Sequence, residues 1–123
     1  MAILTLAGAG LMMLVVGALH LIAPQMMMDE PGIKLTSVNH FHVIRAAYGG
    51  AYMGIASLFL YGLVRKSFQQ ASLVAVAFLF SGFAFGRIFS IFADGIPVAL
   101  YLAVLTFELL FATLAIISLR KTG

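Results

Sequence analysis

Four apolar stretches take up most of this 123-residue chain, each close to the roughly 20 residues that a bilayer-crossing helix needs. They cover about 3–23, 40–64, 71–92 and 98–119. The sequence is 63% hydrophobic and 9% charged, whereas a soluble domain is about 45–50% apolar and about 25% charged. The expected fold is therefore all-α: one polytopic membrane domain, a bundle of four transmembrane helices. Little chain is left over, so any site must lie in the helices or their short connections.

The first stretch has no Lys or Arg before it and no A-x-A cleavage pattern after it, so it is expected to be a retained helix rather than a secretory signal. Pro24 should end it. Residues 24–38 form the longest expected loop, with a turn at Pro31-Gly32 and Met26, Met27 and Met28 packing partly on the bundle. Ser37 or Asn39 can cap the second helix. Residues 65–70 read as a loop, and Asp94-Gly95-Ile96-Pro97 as a tight connector. Arg65, Lys66, Arg120 and Lys121 collect on one side of the membrane, against Lys34 alone on the other. The positive-inside rule then puts both termini and the 65–70 loop in the cytoplasm.

Within the apolar stretches stand Arg45, Arg87 and Glu108, and charge at such depth is normally paired and usually marks a site or a structural lock. At about 1.5 Å per residue, Arg45 lies roughly 8–10 Å and Arg87 about 7 Å below the outer edge, with Glu108 at about 15 Å. His20, Asn39, His40 and His42 stand nearer that edge. By helical spacing Arg45, Tyr48, Gly49 and Tyr52 share one stripe, and Phe83, Arg87, Ser90 and Asp94 another. Tyr101 and Glu108 face one way, as do Met13, Gly17 and His20. The four stripes are expected to converge on a polar pocket that opens outward, with Gly17 and Gly49 leaving room. Tyr48 and Tyr52 need partners for their hydroxyls. Small residues at every fourth position (Ala46, Gly50 and Gly54; Gly82 and Gly86) point to close helix packing, within the chain or between copies.

Two readings of the three charges stay open. One is a structural network: Glu108 neutralises one arginine, and the other reaches the headgroups or pairs with Asp94. The other is a pocket whose two positive charges exceed its one negative and attract a carboxylate, phosphate or lipid headgroup. Asp94 as a fourth charge tips the balance toward the network. The histidines read as interface residues. His40 and His42 are two apart and do not face each other, and no zinc or haem motif is present, so no metal or cofactor is assigned. No catalytic residue is assigned either. The absence of cysteine excludes disulfides and thiol chemistry. The few scattered basic residues do not suit nucleic acid.

Two blocks carry a family likeness. The first runs Asn39-His40-Phe41-His42-Val43-Ile44-Arg45-Ala46-Ala47-Tyr48-Gly49-Gly50 and on to Gly54. The second runs from Gly82 through Gly86-Arg87 and Ser90 to Asp94-Gly95-Ile96-Pro97. Together they resemble the signature of the bacterial domain-of-unknown-function 4345 family of small four-helix membrane proteins, itself distantly similar to the DoxX type. The resemblance spans roughly residues 5–119. It implies the four-helix fold and emphasises Asn39, Arg45, Tyr48, Gly49, Gly50, Gly86, Arg87, Asp94 and Gly95, and it brings no activity with it.

The leading expectation is a protein that binds or carries an anionic or lipid-like small molecule at Arg45, Arg87, Glu108, Tyr48, Tyr52, Asn39, His20 and Asp94. The alternatives are an accessory subunit of a larger membrane complex, or a membrane enzyme on a lipid or quinone-like substrate with Glu108, Asp94 or His20 as acid or base. The expected partners are membrane lipid and a second copy or other membrane protein.

Overall fold

The computed structural model describes residues 1–122, which are helical with no strand among them. Helix α1 is Ala2–Ile22, α2 is the short Pro24–Asp29, α3 is Val38–Val64, α4 is Lys66–Asp94 and α5 is Ala99–Thr122. All but α2 are long and apolar enough to cross a bilayer. α1 packs along α3, and α4 along α5. The contact of α3 with α4 joins the two pairs, and α1 meets α4 and α5 more sparingly. The protein is a four-helix membrane bundle.

One end carries Arg65, Lys66, Arg120 and Lys121 and is called the basic end. The other carries α2, the start of α3 and the α4–α5 connection, and is called the polar end. Chain breaks follow local chemistry. Ala23 leaves the helical conformation before Pro24 (φ −130°, ψ 59°), and its N–H still closes on the Leu19 carbonyl at 2.8 Å. Gly32 adopts φ +75° to end the turn after α2. Ser37 caps α3, its Oγ accepting from the His40 N–H at 3.2 Å.

Two expected loops are different in the structure. Residues 24–29 are helical, with Pro24 at the first turn and Met28 buried while Met26 is exposed. Gln25 ties this segment to Ile33 and Leu35: its Oε1 accepts from the Leu35 N–H at 2.9 Å, and its Nε2 donates to the Ile33 carbonyl at 3.2 Å. The expected 65–70 loop is almost absent, because Arg65 alone is extended and α4 starts at Lys66. Gly62 makes this sharp joint possible. A methyl group there would fall 2.5 Å from Ser72 Oγ, which donates to the Leu58 carbonyl at 2.9 Å.

The packing glycines also differ from the expected set. Gly54, Gly82 and Gly86 have nothing within 4 Å of where a Cβ would stand, and Gly50 meets only the Arg45 carbonyl at 3.6 Å. These four do not bring helices together within the chain. The close approach is made at Gly17 and Gly49. A Cβ on Gly17 would lie 3.0 Å from the Met53 backbone nitrogen, and one on Gly49 2.7 Å from the Leu21 side chain. These two glycines therefore make the α1–α3 crossing instead of opening a pocket.

Burial is lopsided. Phe59, Phe80, Leu6, Leu73, Val76 and Ala115 form the core from mid-bundle to the basic end. Among the described residues, α4 buries none after Ala84 and α5 none before Glu108. Some 15 Å of each helix at the polar end is thus without a filled core.

Candidate functional site

Glu108 is the charged residue the bundle buries, at 2% exposure. It lies where the core of α5 gives way to the open polar half. Arg87 approaches it from α4, its Nε donating to both carboxylate oxygens at 2.9 Å each. Among the described residues this is the sole ion pair. The Arg87 side chain remains 36% exposed, and its guanidinium carbon lies 5.7 Å from the Tyr101 ring centroid. Only Nε is used by the protein, so the two terminal amino groups have no acceptor among the described residues. A groove of about 190 Å³ runs beside them between α4 and α5, lined by Arg87, Ser90, Pro97, Tyr101, Leu102 and Leu105.

Arg45 lies elsewhere. Its Nε donates to the Leu21 carbonyl at the end of α1, at 2.9 Å, and its guanidinium carbon lies 5.5 Å from the Phe41 ring centroid. It lines a separate shallow groove of about 520 Å³ with Val38, Phe41, His42 and Ala46. The expected single pocket is therefore two grooves. The two arginines reach different helices: Arg87 faces α5, whereas Arg45, with Tyr48, Gly49 and Tyr52 of its stripe, meets the end of α1 at His20 and Leu21. Residues Arg45–Gly50 form a π-helical turn inside α3. Gly49 is buried, while Arg45, Ala46, Ala47 and Gly50 are exposed.

His20 is also moved from its expected place. It is buried at 6% exposure rather than lying among headgroups. Its Nδ1–H donates to the Val16 carbonyl at 2.7 Å. The ring stacks on Tyr48 at 5.5 Å and meets Tyr52 edge-on at 5.8 Å, and Tyr52 in turn contacts Phe83 at 6.1 Å. Aromatic contacts continue through Phe80 to Phe111. Neither Tyr48 nor Tyr52 has a hydroxyl hydrogen bond among the described residues. Tyr52 lies within electrostatic reach of both Arg87 and Glu108, so this column of rings adjoins the ion pair.

Asp94 and Asn39 remain at the exposed rim. Asp94 accepts from Ser90 Oγ at 3.0 Å and pairs with neither arginine, so it does not complete a charge network. His40 is occupied locally, its Nδ1 accepting from the Thr36 N–H at 3.1 Å. Phe41 was not among the expected site residues, although it stands four residues before Arg45, a spacing that puts two helical side chains together. Tyr101, Ser90 and Pro97 entered only as stripe, belt or connector residues, because their shared groove depends on how α4 meets α5.

Fold and site together define a small multi-pass membrane protein with one buried ion pair and one unpaired arginine at its polar end. A family model described as Domain of unknown function (DUF4345) matches residues 2–119, and the chain belongs to that family. No curated protein and no solved structure matches it.

Proposed function

We propose that the protein binds a lipid-like small molecule from the bilayer, holding the oxygen atoms of its head in the groove between α4 and α5. The observation that carries this reading is the half-used guanidinium of Arg87. Glu108 neutralises its charge and fixes its orientation through Nε, the terminal amino groups have no acceptor among the described residues, and Arg87 lines the groove. A guanidinium held in this way offers a planar fork of donors to acceptor oxygens such as a carboxylate or an ester carbonyl. Because the pair is neutral, the groove suits an uncharged acceptor as well as an anion. Tyr101, Leu102 and Leu105 supply the apolar wall that such a ligand's body needs. By the basic residues at the other end, the groove opens away from the cytoplasm of a bacterial inner membrane.

Native mass spectrometry from gentle detergent tests this. The wild-type chain should retain a bound small molecule. Arg87→Lys keeps a cation for Glu108 and loses the fork, and Tyr101→Leu removes the ring; both should lose that mass. Equal retention in all three proteins would reject the reading.

A second reading has its own observation. Gly54, Gly82 and Gly86 leave bare backbone with no neighbour, which favours a contact with another membrane helix in a homo-oligomer or a larger complex. The same spectra report the subunit count.

A further inference from the structure

With Glu108 committed to Arg87, the uncompensated charge inside the spans belongs to Arg45. We infer that Arg45 and its groove form a second site, independent of the first, that holds the phosphate of an anionic phospholipid in the adjoining leaflet.

The guanidinium is placed in advance. The Leu21 carbonyl holds Nε from one side, and the Phe41 ring lies along the guanidinium on another. Both supports are uncharged, so they orient the cation without neutralising it. The terminal amino groups have no acceptor among the described residues, and two parallel donors are what a phosphodiester accepts. His42 adds a ring nitrogen to the same groove.

Depth fits a headgroup. Helix α3 has 27 residues, about 40 Å, which exceeds a hydrocarbon core of about 30 Å by about 5 Å at each end. Arg45 starts about 10 Å from the Val38 end, so its backbone lies about 5 Å inside the core, within the reach of an extended arginine. Val38 and Ala46 are exposed apolar residues that line the same groove. They give a lipid's glycerol and upper acyl segments a surface that free phosphate does not use. Arg45 opens a π-helical turn that runs to Gly50. Such turns occur mostly as single insertions and often at functional sites.

One bare cation predicts preference for a lipid of net negative charge over a zwitterionic one, whose own ammonium competes for the phosphate. The full chain would be given equimolar phosphatidylglycerol and phosphatidylcholine in detergent and examined by native mass spectrometry, with inorganic phosphate alone in a parallel arm. A charge-assisted pair predicts about tenfold preference for phosphatidylglycerol, and no retained phosphate. Arg45→Gln should abolish the preference. Ala46→Glu, which places a carboxylate on the rim of the same groove, should abolish it too. Arg87→Lys should leave it intact, which separates this site from the groove of α4 and α5. The proposal is overturned if the wild-type chain shows no preference or if either rim variant keeps it. It is equally overturned if inorganic phosphate is retained as well as the lipid, or if Arg87→Lys removes the preference.

Discussion

Arg45 and Arg87 carry the same side chain into the same half of the bundle, and they differ in what each can reach. Arg87 stands opposite Glu108 and donates to both its oxygens. Arg45 finds a main-chain carbonyl and a ring. The pair itself is unequal, since Glu108 is buried and Arg87 is about a third exposed. Removing Arg87 strands the carboxylate among apolar atoms, where breaking a buried pair costs about 3–5 kcal/mol. Neutralising Glu108 instead leaves an arginine that can extend toward the polar end, so the cost should be smaller. The expected order of thermal midpoints in detergent is wild type, then Glu108→Gln, then Arg87→Ala. The double variant Arg87→Leu, Glu108→Leu should recover most of the loss, because apolar residues of similar size often replace a buried pair without penalty. Losses that simply add in the double variant would mean that the two residues are not energetically coupled.

Helix α3 contains two opposite uses of glycine within ten residues. At Gly49 and at Gly17 of α1 the absent side chain is what lets the two helices touch, and the nearest atoms include the main chain of Met53 and the Gly49 carbonyl. At Gly54 the absent side chain faces open space. Gly17→Ala must push backbone apart, since its Cβ would stand 3.0 Å from the Met53 nitrogen, and overpacking of this kind costs about 1–3 kcal/mol. Gly54→Ala meets nothing and gains the helix preference of alanine over glycine, about 0.5–1 kcal/mol. Thermal unfolding of the isolated chain should therefore move down for the first and stay level or rise for the second. A Gly17→Ala protein as stable as wild type would contradict so close a crossing of α1 and α3. A fall in Gly54→Ala confined to an oligomeric preparation would locate that glycine in a contact between chains.

For the molecule as a whole, apolar length was enough to read four crossings, and Pro24, Pro31-Gly32 and Gly95 marked where the chain turns. Length could not place the start of α4, because Lys66, Ser67, Gln69 and Gln70 are polar yet helical; hydropathy reports lipid, and a helix can run on into the headgroups. The buried pair was legible as three costly charges, but its partner choice was not, since it depends on α4 rather than α3 packing along α5. Spacing alone also could not say which glycines meet a neighbour, because Gly54 and Gly49 look alike until the facing helix is known. Orientation in the membrane rests on Arg65, Lys66, Arg120 and Lys121 at the basic end against Lys34 at the polar end. By the positive-inside rule such a bias predicts a cytoplasmic basic end. The chain has no cysteine, so single introduced thiols report without background. Ile33→Cys, exposed at the polar end, and Ser67→Cys, exposed at the basic end, leave every charge in place. In intact cells a membrane-impermeant maleimide should label Ile33→Cys and reach Ser67→Cys only after the membrane is opened. The reverse pattern would turn both grooves toward the cytoplasm, and the lipid held at Arg45 would then belong to the inner leaflet, where anionic headgroups would have to be supplied from that side.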